Sequence, residues 1–275
     1  MTELTRPLAS GVDVGHSGRA LQLAVVLAIW IAVLPLWLAM APSVLGAETA
    51  ACSSGNDANR HQGQKDASST GERHGAQAVY EAQSLVQCTS PAGIERSASL
   101  VFANIEPNPT GVNSIIQSGA GNCRSANCPA GMRYYSGIGI DSTAPGCSGF
   151  QPRAPILTDE GAWTSASHIY RVQHTSNTWQ MYVDNTLVRS ISESQICWRP
   201  QTASWFAETV DPGDQMGGTP TNPYAISSAS RMTAENGAFA ATAFSASGNC
   251  TYQASFGVYH CDVTGSRSLN VWTDR

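Results

Sequence analysis

Few residues in this sequence have types and spacing that indicate chemistry by themselves. The strings G-x-S-x-G, H-E-x-x-H and G-x-x-x-x-G-K-[ST] are absent. His168, His174 and His260 lie in the part of the chain that we expect to fold. A general base also needs a partner within hydrogen-bond reach, so we expect surface or cross-strand positions for them. The acidic stretch 211–218 could offer oxygen ligands to Ca²⁺. It lacks the EF-hand spacing, so we expect an acidic turn, no metal site and no cofactor.

The cysteines are the next residues with chemical meaning. All eight follow an apolar run near the N-terminus, and an even number in an exported chain predicts a disulfide framework. A zinc site would need Cys or His pairs at close spacing, and only Cys123 and Cys128 come near it. The connectivity does not follow from sequence. The pairs that we consider are Cys250 with Cys261, Cys52 with Cys88, and Cys147 with Cys197.

The apolar run covers residues 20–41 and contains no charged residue. About 20 such residues are enough to cross a bilayer as a helix. Arg6 and Arg19 precede the run, which predicts that its N-terminal side stays in the cytoplasm. Val44 and Gly46 suit a signal-peptidase site. Residues 1–47 are therefore a cleaved signal peptide or a retained signal anchor. Both place the rest of the chain outside the cell or at its surface, with a membrane contact only if the helix is kept.

Composition divides the exported part in two. Residues 53–75 contain no apolar side chain larger than Ala, so we predict a flexible polar linker over residues 48–75. A folded, disulfide-bearing domain over residues 76–275 follows, at a common size for one β-sandwich. The chain has 15 basic and 20 acidic residues, and Lys65 is its only lysine. Nucleic-acid binding through phosphate neutralisation is therefore not expected.

Strand patterns dominate the predicted domain. Residues 132–140 and 203–210 are rich in aromatic and β-branched types. Alternation in residues 179–183 predicts one strand of a hairpin within His168–Ile191, and Asp184 and Asn185 suit its tight turn. Many short strands with turn residues between them predict an all-β fold, a β-sandwich of the jelly-roll type.

A family resemblance appears between residues 112 and 218. Asn113-Ser114-Ile115 is followed by a C-x4-C-P pair at Cys123 and Cys128, then by the hairpin around Trp179 and a strand ending in Glu208. This order resembles the neprosin-type domain and the wider group of glutamic peptidases built on a concanavalin-like jelly roll. The resemblance implies a short disulfide between Cys123 and Cys128.

In that group, the resemblance implies a catalytic pair on adjacent strands of one concave sheet, and here Gln117 and Glu208 would occupy the two positions. A carboxylate can activate water as a general base, and an amide can hold the water and stabilise an oxyanion. Such a pair would suit acidic conditions if Glu208 keeps an ordinary pKa of about 4.3. Placing Gln117 at the family position requires a one-residue shift from Ile116. In a strand, that shift moves the side chain to the other face.

Two further interpretations stay open beside the peptidase. The first, which we prefer at this point, is an extracellular module that binds a glycan or another ligand on its concave face. Trp179, Tyr182 and Trp205 would be its stacking surface. The second is a surface interaction protein without activity. The partner outside the cell would then be a polysaccharide, a protein or a peptide.

Overall fold

The computed structural model describes most of the predicted domain and part of the predicted linker. The described residues are 60–67, 70–83, 85–88, 97–107, 114–124, 131–141, 143, 146–149, 153–211, 213–214, 216, 218–244 and 259–273. The predicted leader, residues 1–47, lies outside them, and with it the predicted apolar helix. Among the described residues, no helix is long and apolar enough to cross a membrane.

The described chain forms two antiparallel sheets and one turn of 3-10 helix, Glu193–Gln195. The first sheet has six strands in the spatial order β1-β10-β3-β4-β5-β6. Its strands are β1 (Arg60–Ala67), β3 (Ser97–Glu106), β4 (Ile115–Arg124), β5 (Met132–Ile140), β6 (Arg153–Ala162) and β10 (Thr202–Thr209). The prediction of an all-β sandwich is confirmed.

The second sheet has eight strands in the order β13-β14-β11-β2-β7-β8-β9, with the short β12 paired to β11. Its strands are β2 (Gly75–Tyr80), β7 (His168–Thr175), β8 (Thr178–Val183), β9 (Thr186–Ser192), β11 (Tyr224–Met232), β12 (Ala240–Ala241), β13 (Tyr259–Gly265) and β14 (Ser268–Thr273). The predicted hairpin is therefore present as β7, β8 and β9. Asp184 has φ +55° in the turn, a conformation that Asp tolerates better than most residues.

The main core lies between the two sheets. Alternate residues of β7 and β8 are buried, as expected for strands with one covered face. The largest buried side chains include Trp179, Trp205, Tyr80 and Tyr170. Hydrogen bonds also cross the core: the Tyr80 hydroxyl donates to the Phe102 carbonyl at 2.5 Å, and the Trp205 indole N–H donates to the Gln77 carbonyl at 2.8 Å.

The central strands of the six-stranded sheet are buried on both faces. All eight residues of β10 are buried, which explains why this strand lacks alternation in its sequence. One face packs in the main core. The face turned away from the other sheet, called the outer face below, carries a second apolar cluster: Leu100, Phe102, Cys123, Tyr135 and Phe206.

Strand β1 lies inside the segment that the sequence predicts to be a linker. Each of its residues pairs with β10, from Arg60 with Thr209 to Ala67 with Thr202. Burial of apolar side chains does not explain why β1 is ordered as a strand. Backbone pairing does, together with ion pairs from Lys65 to Glu106 (3.3 Å) and from Arg73 and Arg231 to Asp66 (2.6 and 2.9 Å). The linker prediction fails here because it considered only apolar burial.

Disulfides reinforce the domain. Cys147 and Cys197 are bonded, with 4.8 Å between their Cα atoms, which confirms that predicted pair. Cys88, Cys123 and Cys261 are disulfide-bonded as well, and none of the described cysteines is free. Their predicted partners, Cys52, Cys128 and Cys250, lie outside the described residues, so those three pairings stay predictions.

Candidate functional site

Gln117 and Glu208 both lie on the outer face of the six-stranded sheet. Ile116 is in the main core, fully buried, so the neighbouring Gln117 side chain takes the opposite face. The register shows that Glu208 shares this face, because cross-strand partners in a sheet point the same way. The one-residue shift required by the sequence resemblance therefore puts a polar residue, and not Ile116, on the outer face.

The two residues are not neighbours, however. Strand β3 lies between β4 and β10, so the expectation of adjacent strands is wrong. Gln117 pairs with Asn104, and Asn104 pairs with Ser204, four residues before Glu208. Two strand spacings and four residue rises separate Gln117 from Glu208 by roughly 16 Å. The catalytic assignment of each residue stays a prediction.

An aromatic pair occupies the space between them. Phe102 and Phe206 pair across β3 and β10, with ring centroids 5.7 Å apart. Their row of the outer face lies between the row of Gln117 and the row of Glu208. The two rings fit on this face because the residues beside them on the neighbouring strands, Gly63 and Gly119, have no side chain. A Cβ on Gly119 would lie only 2.4 Å from Phe102 Cδ1.

A different carboxylate lies next to Gln117. Glu106 on β3 accepts hydrogen bonds from Asn104 Nδ2 (2.5 Å), Ser204 Oγ (2.6 Å) and Lys65 Nζ (3.3 Å). Glu106, Asn104 and Ser204 are buried and come from two adjacent strands, while the lysine comes from β1. Together with Gln117, they form what we call the Glu106 cluster.

The position of Gln117 in this cluster depends on a glycine. Gln117 pairs with Gly137 on β5, and its side chain, 4% exposed, lies over that glycine. A Cβ at position 137 would lie 2.5 Å from Gln117 Nε2 and 2.6 Å from Gln117 Cγ. Ile105 pairs with Ile116, so Glu106 and Gln117 are diagonal neighbours on one face, about 7–8 Å apart between Cα atoms.

One polar atom of the cluster has no partner. Asn104 Oδ1 is buried, and within the described part of the chain nothing donates a hydrogen bond to it. Buried polar atoms are normally paired, and each exception calls for an explanation such as a bound water or ligand. The cluster thus combines a carboxylate, two amides, a hydroxyl and an ammonium group. Such a set can hold a water molecule or a polar substrate.

The predicted aromatic stacking surface is only partly available. Trp179 is 1% exposed and Trp205 is fully buried, both in the main core, so neither can stack on a ligand. The prediction fails for these two residues because large apolar rings on strands are buried more often than displayed. Tyr182 is half-buried on the other sheet. Its ring lies 4.1 Å below the Arg171 guanidinium, and its hydroxyl donates to Gln180 Oε1 at 2.8 Å.

A second polar cluster surrounds His168. Its Nδ1 lies 3.0 Å from Asp184 Oδ2, and its Nε2 lies 2.9 Å from the Tyr134 hydroxyl and 3.0 Å from Thr164 Oγ1. These distances resemble those of a nucleophilic triad. The Thr164 carbonyl also lies 3.1 Å from Nε2, while the Thr164 N–H donates to Tyr134. The N–H and the carbonyl of Thr164 therefore contact the Tyr134 hydroxyl and the His168 ring themselves, and we assign this cluster to structure.

The carboxylates of the acidic stretch 211–218 accept hydrogen bonds from backbone N–H groups. Asp211 Oδ1 accepts from the Gly213 N–H at 2.7 Å, and Asp214 accepts from the N–H groups of Asp211 (2.8 Å) and Cys88 (3.1 Å). Among the described residues, no group of three or more His, Cys, Asp or Glu could hold a metal ion. These contacts are those of a turn stabilised by its own side chains.

Comparisons with known proteins concern the fold. No family model and no curated protein matches the chain. Among solved structures, it is similar to Scytalido-glutamic peptidase with a peptide-based transition state analog, at 11% identity over 78% of this chain and 98% of that chain, TM-score 0.44. It is also similar to an Eqolisin-family peptidase in complex with a tripeptide, at 12% identity over 78% and 98%, TM-score 0.38.

A third similar structure holds an oligosaccharide. It is the kappa-carrageenase from Pseudoalteromonas carrageenovora with an oligotetrasaccharide, at 8% identity over 76% of this chain and 67% of that chain, TM-score 0.26. At these identities the similarity says nothing about which residues act.

Proposed function

We propose that the chain is an exported hydrolase of peptide bonds that acts at the Glu106 cluster. The observation that carries the proposal is the buried Glu106 carboxylate, held by Asn104, Ser204 and Lys65 on the same face as Gln117. Buried carboxylates surrounded by oriented polar groups are candidates for acid–base chemistry. For the finer architecture, we propose a concanavalin-like jelly roll.

The chemistry would use one carboxylate and one amide. Glu106 takes a proton from a water molecule, whose oxygen attacks the scissile carbonyl carbon. The Gln117 amide N–H donates to the oxyanion that forms. Glu106 then returns the proton to the leaving nitrogen, and the C–N bond breaks. Glu106 and Gln117 are diagonal neighbours on one face, so a water and a carbonyl bound between them would contact both side chains.

The sequence resemblance offers Glu208 as the competing carboxylate. Glu208 lies on the same outer face but beyond the Phe102–Phe206 pair. A water held by Gln117 would lie near Glu106 and more than one strand away from Glu208. We therefore propose Glu106 as the base, and the two glutamates serve as matched controls for each other.

The test measures cleavage of a denatured protein substrate by the purified, oxidised chain between pH 2 and pH 8. We expect Glu106→Gln to lower the rate by about 10²–10⁴, the usual contribution of a general base. Glu208→Gln should stay within about threefold of the unmodified chain, because Glu208 lies roughly 16 Å from Gln117 and the substitution keeps the size of the side chain. Circular dichroism and a melting curve confirm that each variant folds. The reverse ranking would return the role to Glu208, and no cleavage at any pH would refute the peptidase proposal.

Export is part of the proposal. The Cys147–Cys197 disulfide and the bonded state of Cys88, Cys123 and Cys261 support an oxidising compartment. The predicted leader over residues 1–47 supports the same location.

Glycan binding without cleavage is the second candidate. It is favoured by Tyr182, which stands beside Arg171, Gln173 and Gln180 on the outward side of the eight-stranded sheet. Aromatic rings flanked by amides are typical of sugar recognition. If the folded chain cleaves nothing, a glycan array with Tyr182→Ala as the control would test it. Binding lost in the variant would support the glycan module, and no binding would leave an interaction protein.

A further inference from the structure

Two histidines meet edge to edge at one end of the eight-stranded sheet. His74 directly precedes β2 and His174 lies in β7, and their Nδ1 atoms are 3.2 Å apart. The ring planes differ by 20°, and the centroids are 5.4 Å apart. The centroid separation exceeds the nitrogen separation by about two ring radii, so the two nitrogens point at each other. No metal ion fits between nitrogens arranged in this way.

The contact holds a single proton. Neutral imidazole has one N–H and one bare nitrogen, so an Nδ1–Nδ1 bond needs one donor and one acceptor. His74 Nε2 lies 3.1 Å from Glu72 Oε2, which favours a proton on that nitrogen and a bare Nδ1. His174 is then the donor at Nδ1, and its Nε2 is bare. Consistent with this, His174 Nε2 is buried without a hydrogen-bond partner.

Acidic groups face the pair from three elements. Glu72 comes from the segment before β2 and shares its carboxylate with Arg199, 3.0 Å away. Glu193, in the 3-10 turn, lies 3.6 Å from His174 Nε2. Glu235, in the turn after β11, acts on His74 through charge and accepts the Asn177 N–H at 2.9 Å. On the remaining side, the Trp179 ring stacks on His174, with the centroids 4.7 Å apart.

The neutral histidine pair can bind two more protons, and these have different effects on the Nδ1–Nδ1 hydrogen bond. The first can bind His174 Nε2, where it faces Glu193 and leaves the Nδ1–Nδ1 bond intact. The second must bind His74 Nδ1, and it places two N–H groups head to head at 3.2 Å. This contact is repulsive in both charge and hydrogen bonding. The pair therefore tolerates one extra proton and breaks on the second.

Backbone contacts converge on the same two residues. The His74 N–H donates to Met232 at the end of β11 (2.7 Å), and the His174 N–H donates to His74 (2.7 Å). The Asn236 N–H donates to His174 at 3.4 Å. We propose that His74 and His174 form an acid-sensitive latch, which joins β2, β7 and the turn after β11 near neutral pH and releases them in mild acid. The latch is independent of the hydrolase proposal.

The direction of the pH effect follows from His74. Burial lowers its pKa, and His174 lowers it further, while Glu72, Glu235 and Glu193 oppose the shift. A histidine whose pKa is lower in the folded chain than in the unfolded chain loses stability as the pH falls below about 6.5. The loss is complete once the pH is below the folded pKa. Opening is therefore expected on the acid side of 6.5.

Hydrogen exchange of the full chain between pH 7 and pH 4.5, corrected for intrinsic exchange, tests the latch. We expect protection of the amides of residues 74, 174 and 236 to fall several-fold, up to about tenfold, which is the usual net contribution of one hydrogen bond. Amides in the centres of β4 and β10 should keep their protection. Nitrogen NMR at pH 7 should show the Nε2–H form of His74 and the Nδ1–H form of His174.

Variants separate the latch from general acid loosening. In His74→Gln, the amide oxygen can accept from His174 but does not titrate, so the local step should disappear. His174→Gln is the second variant, should the first fold poorly. His260→Gln, which removes a histidine outside the pair, should keep the step. A pH-independent protection pattern, a uniform loss over the whole domain, or an unchanged step in both latch variants would overturn the proposal.

Discussion

At the residue scale, the absence of one methyl group positions the proposed catalytic amide. Gln117 lies over Gly137, where an added Cβ would approach Nε2 to 2.5 Å. Contacts this close force a shift of the side chain or the backbone. The glycine on β5 thus sets the rotamer of the glutamine on β4.

Gly137→Ala should therefore displace the Gln117 amide. If Gln117 stabilises the oxyanion, kcat falls by about 10²–10³, as for the loss of one oxyanion donor. The melting temperature should fall by only a few degrees, roughly 1–3 kcal/mol of overpacking. Gly265→Ala is the matched control, because its nearest neighbour would lie 3.9 Å from the new Cβ. Equal activities for the two variants would argue against a role for Gln117.

Sequence reasoning found Gln117 but missed its nearest carboxylate. The polar–apolar–polar order of Asn104, Ile105 and Glu106 is a strand signal, and it would have placed Asn104 and Glu106 on one face. The contacts of Lys65 and Ser204 with Glu106 could not be predicted from the sequence. These contacts depend on which strands become neighbours, and side-chain alternation gives the face of a residue but not the identity of the next strand.

At the element scale, β1 is the strand whose loss should matter most. It covers one edge of β10 along eight residues. A chain beginning at Ala76 would lack it, together with the Lys65–Glu106 and Arg73–Asp66 ion pairs. Cys88 is replaced by Ala in this chain, and Cys52 and Cys88 are both replaced by Ala in its control, so that the predicted bridge between them does not differ. We expect a loss of about 3–5 kcal/mol in unfolding free energy, mainly from the ladder of backbone hydrogen bonds. The uncovered edge of β10 should also promote aggregation.

Urea unfolding and light scattering measure these two effects. A chain beginning at Glu48 keeps β1 and is the matched control. Identical stability for the two chains would mean that β1 contributes nothing to the fold, contrary to its pairing with β10.

Some strands could be predicted from their own residues, and others could not. The hairpin of β7 and β8 was predictable because its alternation and its Asp184 turn are local. The whole of strand β5 was predictable as well, since it is rich in aromatic and β-branched residues. Strand β1 reads RHQGQKDA and contains nothing to mark it. It is a strand because it pairs with β10, and its own composition does not predict this.

At the scale of the whole molecule, the Cys147–Cys197 bridge connects distant parts of the fold. Cys147 lies between β5 and β6, and Cys197 lies between β9 of the second sheet and β10 of the first. The bridge closes a loop with a sequence separation of 50. In the chain-entropy account, such a loop is worth about 4 kcal/mol, and less where other bridges already shorten it.

The double variant Cys147→Ala with Cys197→Ala should melt several degrees lower, by about 2–4 kcal/mol. Calorimetry on both oxidised chains gives the comparison, and mass spectrometry confirms that the remaining bridges have formed. A difference of less than a degree would show that packing alone already fixes these two segments.

The pairing of β1 with β10 also affects the order in which the strands can form during synthesis. Arg60 is hydrogen-bonded to a strand that ends at Thr209, so about 150 residues must be synthesised before the partner exists. Contacts so distant in sequence form slowly, because the loop must close before they contribute. During synthesis, β1 therefore stays without its partner while later hairpins form. A chain interrupted anywhere before β10 would leave this strand unpaired.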